Sequence, residues 1–257
     1  MTAPPPGTTR RDGRPLNEDA AAAGKRAAAR SAVDLLSAGM RVGLGTGSTM
    51  EFVLDEIAVR ALKIVGAPTS QHTAERARSL GIALTDLGAT PELDVAIDGA
   101  DEVETGTLNL IKGLGGALLR EKIVAQAARR FIVVADQSKI VERLGTKAPL
   151  PIEVTPFGSD ATKRQIAALG LEPWLRHKPD GTPFRTDNGN LIYDCRYLDR
   201  FDPAVIEPRL LKIAGVAETG LFLHMAERAI IGFAQGGSTE LRPNVRAGGK
   251  DGGTRST

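Results

Sequence analysis

Hydrophobic residues recur with two different spacings in the first 150 residues. Between residues 50 and 61 they return every three or four positions, as on one face of an α-helix, and residues 29–36 show the same spacing. Short apolar runs separate such segments, among them MRVGLG, LDVAID and RFIVVAD, and their length favours buried strands. Strands that alternate with helices predict an α/β fold, in which a mainly parallel sheet carries helices on both faces.

The pattern changes after residue 148. Helices predicted near 159–169 and 203–213 separate three strand-like segments, LPIEVTPFG, TDNGNLIYDCRY and VAETGLFL, which indicates a small α+β subdomain. The segment ERAIIGFAQG then supplies one more strand, which can return to the first sheet. We therefore expect an α/β domain built from residues 18–148 and 224–236, and a small α+β subdomain from residues 149–223.

The two ends of the chain differ from the rest in composition. Residues 1–17 and 237–257 are rich in glycine, arginine and other polar residues, and the first segment also contains several prolines. Segments of this kind bury too little apolar surface to offset the entropy lost on ordering. The sequence therefore predicts a disordered N-terminal extension and a disordered C-terminal tail.

Composition also narrows the class of protein. The net charge of +2 is small and the basic residues are scattered, which argues against a nucleic-acid partner. The lone Cys195 rules out an intramolecular disulfide and suits a reducing compartment. No apolar run approaches the roughly 18 residues of a membrane span, and the N-terminus lacks the apolar core of a signal peptide. We expect a cytoplasmic protein that does not interact with membranes.

Three unusual loops follow predicted strands, which is where ligands bind in open α/β sheets. The first is GLGTGSTMEF, in which glycines allow close approach of the backbone and the following helix start attracts an anion. It lacks the lysine of a Walker A loop, and Ser48 replaces the third glycine of a dinucleotide loop. A small phosphate ester fits this loop best, and the alternative is a strand–helix turn capped by Ser or Thr.

The second loop is DGADE, which holds Asp98, Asp101 and Glu102. These acids could bind a magnesium ion, accept hydrogen bonds from sugar hydroxyls, or transfer protons. They could also form an Asp-Gly turn followed by a helix cap. No histidine lies near them in the sequence, so a histidine-rich transition-metal site is not expected.

The third segment, KGLGGALLREKIVAQAA, combines a second glycine-rich loop with a second helix. Lys112 opens the loop and suits a phosphate or a developing oxyanion. On the helix, Glu121 falls in the middle of a small, apolar stripe, whereas Arg120 and Lys122 point away on either side. Burial there would raise the pKa of Glu121 towards neutrality, as a general base requires. The alternative is a helix whose buried face is rotated, with Glu121 paired to a neighbouring cation.

Taken together, GLGTGST, DGADE and KGLGGALLREK resemble the motifs of the type A ribose-5-phosphate isomerases, in the same order and at similar separations. The segments ADQSK, LPIEV and TDNGN extend the resemblance over residues 18–235. It implies interconversion of D-ribose 5-phosphate and D-ribulose 5-phosphate in the non-oxidative pentose phosphate pathway, without a metal or other cofactor. It also implies a Rossmann-like α/β domain with a smaller α+β, ferredoxin-like subdomain, assembled into a homo-oligomer, either a dimer or a tetramer.

The resemblance assigns roles to individual positions. Glu121 matches the general base, and Asp98, Asp101 and Lys112 complete the expected catalytic set. The substrate-contacting positions comprise the catalytic Asp98, Asp101 and Lys112 together with Lys25, Thr46, Gly47, Ser48, Thr49, Gly99, Ala100, Gly113, Leu114, Gly115 and Lys139. Leu114 departs from the family, which has an uninterrupted glycine run here, so its side chain must point away from the substrate or its backbone must avoid positive φ.

These roles suggest a mechanism as a hypothesis. Glu121 would move a proton between C2 and C1 through a cis-enediolate, and Lys112 would stabilise the charge on the substrate oxygens. Asp98 and Asp101 would assist ring opening. Two other functions remain open: a related sugar-phosphate isomerase or lactonase, and a module that senses a sugar phosphate without turnover. A regulator of the second kind should carry a helix-turn-helix segment, and neither end of the chain offers one.

Overall fold

The computed structural model describes residues 16–197 and 202–244, with side chains from residue 20 onward. The helices are α1 Leu16–Val33, α2 Ser48–Val59, α3 Gln71–Ser79, α4 Leu118–Ala127, α5 Ser159–Ala167 and α6 Pro203–Leu211, with a 3-10 turn at Gln137–Lys139. The strands are β1 Arg41–Leu44, β2 Val65–Pro68, β3 Ala83–Leu84, β4 Val95–Asp98, β5 Glu102–Glu104, β6 Leu110–Ile111, β7 Phe131–Asp136, β8 Ile140–Val141, β9 Leu150–Val154, β10 Leu171–Leu175, β11 Leu191–Tyr197, β12 Val216–Thr219, β13 Leu221–Phe222, β14 Arg228–Gly232 and β15 Ser238–Leu241.

The largest sheet confirms the predicted α/β fold. Its strand order is β15-β14-β7-β4-β1-β2-β3, and all pairs are parallel except the edge pair of β14 and β15. The chain runs from β1 outward through β2 and β3, then returns to place β4 on the other side of β1. The order therefore reverses between β1 and β4, and their carboxyl ends border the crevice where such sheets bind ligands.

Helices cover both faces of this sheet. One core cluster joins α1 and α2 to the sheet, and it includes the fully buried Ala28, Leu54 and Val134. The other includes Val124 of α4, together with Phe131 and Val133 of β7. Both faces of β7 are thus buried, which explains the unbroken apolar sequence of this strand.

The small subdomain has the predicted ferredoxin-like arrangement. Its elements follow the order β9-α5-β10-β11-α6-β12, and the antiparallel sheet has the order β10-β11-β9-β12. A third small sheet was not expected from the sequence. It joins β5, β6 and β8 to β13, so a strand from the predicted subdomain, β13, pairs with β6 from the predicted α/β domain. The apolar patterns of these two- and three-residue strands are too short to be recognised in a sequence.

At both ends of the described chain, ordered structure extends beyond the predicted domain boundaries. The prediction of disorder from residue 237 onward is wrong for residues 238–241, which form the antiparallel edge strand β15 beside β14. Backbone hydrogen bonds to β14 order a segment whose composition alone favours disorder. Helix α1 begins at Leu16, within the predicted N-terminal extension. Residues 1–15 and 245–257 lie outside the described part, and the division at residues 148/149 and 223/224 remains a proposal.

Candidate active site

The three predicted loops meet in one pocket at the carboxyl ends of β1 and β4. Its volume is about 220 Å³. It is lined by Lys25, Thr46, Gly47, Ser48, Thr49, Gly99, Ala100, Asp101, Lys112, Gly113, Gly115, Glu121 and Lys139. Of the catalytic and substrate-contacting positions assigned from the sequence, only Asp98 and Leu114 are missing from this lining. Asp98 lies directly behind it, in contact with Lys112.

The first loop offers an anion site on one side of the pocket. Helix α2 begins at Ser48, so the first N–H groups of the helix, including those of Ser48 and Thr49, face outward without partners in the helix. The Lys25 ammonium donates to Ser48 Oγ across 2.9 Å and brings a positive charge to the same spot. A helix start and a lysine together favour a phosphate group.

Thr46 has a structural role that the sequence did not reveal. Its hydroxyl lies 2.7 Å from Thr69 Oγ1, donates to Ser70 Oγ across 2.8 Å, and lies 3.1 Å from Thr73 Oγ1. Thr73 Oγ1 in turn donates to the Gly45 carbonyl across 2.9 Å. This hydroxyl cluster fixes the first loop against the start of α3. The hydroxyls of PTSQHT are visible in the sequence, but their role depends on the pairing of β2 with β1, which only the structure shows.

The acids of DGADE have three separate roles. Asp98 Oδ1 accepts from the N–H groups of Thr46, at 3.1 Å, and of Gly99, at 2.7 Å. Asp101 Oδ2 accepts from the Leu114 N–H at 2.9 Å, which ties the second loop to the third. Glu102 points the other way and is fully buried, where it accepts N–H groups of the loop at residues 145–148. Glu102 is therefore a structural acid, and the first two acids belong to the pocket.

Lys112, Glu121 and Asp98 form a buried charge cluster. The Lys112 ammonium lies 3.0 Å from Asp98 Oδ2 and 3.2 Å from Glu121 Oε2, and it donates to the Gly99 carbonyl at 2.7 Å. Each of the three residues is at most 4% exposed. Glu121 lies on the buried face of α4, whereas Ile123 is 46% exposed, so the alternative of a rotated helix is wrong.

Burial and like charge change the proton affinities of this cluster. Burial, assisted by the negative charges of Asp98 and Asp101, raises the pKa of Glu121 to about 8 despite the nearby ammonium. Burial also raises the pKa of Asp98, and Lys112 opposes that effect. Burial alone would lower the pKa of Lys112, but the surrounding carboxylates outweigh it and hold the pKa above its usual value. A carboxyl group that titrates near neutrality beside a fixed cation is suited to proton transfer.

The neighbours of Glu121 on α4 anchor the helix to the small subdomain. Arg120 donates to Asn188 Oδ1 at 2.8 Å and to the Asp187 carbonyl at 2.9 Å. Lys122 points away from the pocket as expected, yet it is buried, 2.7 Å from Glu218 Oε1 and 3.3 Å from Glu207 Oε1. Sequence spacing places these two cations on the flanks of the helix. Their partners lie 67 to 96 positions away along the chain, so the sequence around the helix does not predict them.

Leu114 meets both conditions expected for a leucine in the glycine run of the family. Its side chain is 42% exposed and does not line the pocket, and its φ is outside the left-handed region. Lys139, on the 3-10 turn after β7, lines the pocket as predicted. In the described part of the chain, no group of three or more His, Cys, Asp or Glu residues is arranged to hold a metal ion, and no helix is long and apolar enough to cross a membrane.

Comparison with known proteins gives consistent matches. A family model described as ribose 5-phosphate isomerase A (phosphoriboisomerase A) matches residues 65–236. The chain is 51% identical to the ribose-5-phosphate isomerase A of Roseiflexus castenholzii over 217 residues, which are 82% of this chain and 92% of that protein. It is 50% identical to the protein of the same name from Gloeobacter violaceus over 224 residues, or 86% and 96% of the two chains.

Solved structures agree with these sequence matches. Ribose 5-phosphate isomerase A from Methanocaldococcus jannaschii has a TM-score of 0.79 at 37% identity, covering 85% of this chain and 97% of that one. A D-ribose-5-phosphate isomerase in complex with phospho-erythronic acid has a TM-score of 0.80 at 36% identity, covering 89% and 100%. The resemblance inferred from the motifs is thereby confirmed: the chain belongs to the ribose 5-phosphate isomerase A family and is an isomerase.

Proposed function

We propose that this protein interconverts D-ribose 5-phosphate and D-ribulose 5-phosphate, with Glu121 as the general base. The observation that carries this proposal is the buried Glu121 carboxylate, which faces a pocket of sugar-phosphate size and pairs with Lys112. Related isomerases carry the substrate in their name, and one neighbouring structure contains phospho-erythronic acid, a sugar-acid phosphate. The reaction belongs to the non-oxidative pentose phosphate pathway, as the motif resemblance implies.

The chemistry requires one proton to move between C2 and C1 of the open-chain sugar. From aldose to ketose, Glu121 removes the proton from C2 to give a cis-enediolate and returns it to C1, while the hydroxyl proton on O2 passes to O1. The charge that develops on the substrate oxygens is stabilised by the Lys112 ammonium, which is already fixed by Asp98 and by the Gly99 carbonyl. Because those contacts exist before substrate binds, little reorganisation is needed during the reaction.

Asp98 and Asp101 have supporting roles in this proposal. Asp101 lines the pocket where the sugar hydroxyls and the ring oxygen would bind, and Asp98 lies directly behind that lining, against Lys112. They can accept a hydroxyl proton and return it to the ring oxygen, which opens the furanose before isomerisation. A Cβ on Gly45 would lie 2.0 Å from Asp98 Oδ1, so the glycine permits this carboxylate to sit against the first loop.

The start of α2 is the proposed phosphate site. Ser48, Thr49 and Lys25 line the pocket and supply N–H, hydroxyl and ammonium donors to it. Holding the non-reacting phosphate there orients C1 and C2 over the base. Lys139 adds a third lysine to the pocket lining, besides Lys25 and Lys112.

The direct test is to measure ribulose 5-phosphate formed from ribose 5-phosphate, with and without EDTA. EDTA-resistant turnover is the expected result, because metal independence remains a prediction from the motifs. Tight binding of ribose 5-phosphate without turnover would instead support the sensing module, and turnover of a different sugar phosphate would support the related isomerase or lactonase. A homo-oligomer, dimer or tetramer, and a cytoplasmic location also remain predictions.

The pH dependence of kcat/KM should report the raised pKa of Glu121. The base must be ionised, so kcat/KM should rise with pH and level off above an apparent pKa near 8. The substrate phosphate titrates at about pH 6, which is low enough to be separated from this limb. The measurement is kcat/KM at intervals from about pH 6 to 10, and a profile that is flat above about pH 6.5 would contradict the assignment.

Lys25→Met should weaken substrate binding with little effect on the chemical step. Loss of one charged contact to the phosphate should raise KM about tenfold, equivalent to about 1.4 kcal/mol, while kcat stays within about threefold. Arg26→Met is the matched control, because Arg26 carries the same charge one residue later on α1 and contacts the Phe52 ring instead of the pocket. Equal increases in KM for the two variants would indicate a general charge effect.

A further inference from the structure

Arg176, on the loop that follows β10 of the small subdomain, reaches into the third loop of the active site. Its Nη1 donates to the carbonyl oxygens of both Gly113 and Leu114, at 2.9 and 3.0 Å. These are two consecutive peptide groups of the loop that opens with Lys112. One guanidinium therefore holds the middle of this loop from the side opposite the pocket.

One N–H group of these two peptides contacts a proposed catalytic residue, and the other belongs to a residue of the pocket lining. The peptide with the Gly113 carbonyl ends in the Leu114 N–H, which donates to Asp101 Oδ2 at 2.9 Å. The peptide with the Leu114 carbonyl ends in the N–H of Gly115, a residue that lines the pocket. A hydrogen bond from a cation to a carbonyl oxygen polarises the peptide and makes its N–H a stronger donor.

The position of the guanidinium is itself tightly fixed. Asp194 of β11 accepts from Arg176 Nε at 2.8 Å and also from Nη2, and side-chain exposure is 12% for Arg176 and 9% for Asp194. The guanidinium carbon lies 5.7 Å from the centre of the Phe184 ring. That ring packs against the backbone of Gly116, where an added Cβ would lie 2.4 Å from Phe184 Cζ. Arg176 and Phe184 thus brace the loop at three positions before α4, namely Gly113, Leu114 and Gly116.

We propose that Arg176 is a positioning residue, which fixes and polarises the two peptide groups flanking Leu114 and so strengthens the N–H donors to Asp101 and to the substrate. This inference rests on the proposed isomerase function. It also explains why leucine is accepted in the glycine run: Leu114 contributes its backbone N–H and carbonyl, while its side chain remains outside the pocket. In this view the small subdomain takes part in the reaction without contacting the substrate.

Arg176→Lys should lower kcat about 20-fold and change KM by less than about threefold, because lysine cannot bind Asp194 and two carbonyls in the same fixed geometry. Arg228→Lys is the matched control. Arg228 has nearly the same side-chain exposure, 11%, and pairs with Glu227 and Glu240, outside the pocket lining. The two variants should show similar falls in Tm, but only Arg176→Lys should lose kcat. Equal kcat for the two variants would overturn the proposal.

A double-mutant cycle separates this role from simple support of the fold. If Arg176 acts partly through the Leu114 N–H and Asp101, the effect of Arg176→Lys on kcat should shrink to about fivefold or less in an Asp101→Ala background. Additive effects would mean that Arg176 does not act through Asp101. Phe184→Leu provides a milder variant if Arg176→Lys folds poorly, with a smaller loss of kcat expected. Absence of turnover in the wild type would instead refute the isomerase proposal itself.

Discussion

Glu121→Gln should lower kcat about 1000-fold or more, at the upper part of the range for removal of a general base, while KM for ribose 5-phosphate changes less than about threefold. The amide has nearly the same shape as the carboxylate and can still contact Lys112. It cannot take a proton from C2, so only the chemical step should be lost. Because burial raises the pKa of Glu121 to about 8, the carboxyl group is largely neutral at about pH 7, and the neutral amide should leave the stability of the fold nearly unchanged.

Steady-state kinetics should be combined with isotope exchange to test this assignment. In deuterium oxide, the wild-type protein should incorporate solvent deuterium into the substrate at the carbon that receives the proton, and Glu121→Gln should not. Calorimetry with ribose 5-phosphate then checks that the variant still binds its ligand. Lost binding together with preserved exchange would show that Glu121 is a binding residue and that another group is the base.

Helical spacing was sufficient to predict the most important side chain. The stripe formed by Leu118, Glu121, Val124 and Ala125 follows from residues three and four apart on one helix, and the structure buries all four. The alternation of helices and strands likewise predicted the mainly parallel sheet, and ligands bind beyond the carboxyl ends of strands in such sheets, but the strand order that brings β1 and β4 together was seen only in the structure. Local patterns therefore predicted both the α/β fold and the place of its pocket.

Contacts between distant segments could not be predicted in this way. Arg176 and Leu114 are 62 positions apart, and nothing in the sequence around either residue specifies that they meet. Glu102 shows the same limit within a single motif. It stands beside Asp101 in DGADE, yet the strand β5 turns it to the opposite side, where it binds the loop at residues 145–148. Side chains along a strand point alternately to its two faces, and this decides which acid enters the pocket. Strand β5 has only three residues, which is too short for its alternating pattern to be recognised in the sequence.

Lys112→Met should produce the second large effect, on both stability and activity. Removal of the ammonium leaves Asp98 and Glu121 buried without a counter-charge, which should lower the free energy of unfolding by about 3–5 kcal/mol at neutral pH. It also removes the group proposed to stabilise the enediolate, so kcat should fall about 100-fold or more. Methionine retains most of the apolar length of lysine, which keeps the loss of packing small.

The pH dependence of stability in Lys112→Met has a definite sign. Without the cation, the pKa values of Asp98 and Glu121 in the folded protein should rise further, so the native state holds protons that the unfolded chain releases. Stabilisation from this source is fully present below the unfolded pKa values, near 4, and is lost as pH rises through the folded ones. The variant should therefore lose stability relative to the wild type as the pH rises above the folded pKa values of the wild-type carboxyl groups, which for Glu121 is about 8.

Urea unfolding at about pH 5 and about pH 9, below and above the wild-type pKa of Glu121, measures this effect, and Lys122→Met is the matched control. Both ammonium groups lie over the Phe222 ring, at 5.4 Å for Lys112 and 5.0 Å for Lys122. The partners of Lys122, however, are the partly solvated Glu207 and Glu218, which can recover hydration when the lysine is removed. Lys122→Met should therefore cost less stability, with little dependence on pH, and should keep most of its activity. If the two variants lose the same stability with the same pH dependence, the buried carboxylates of the pocket do not depend on Lys112 for their charge.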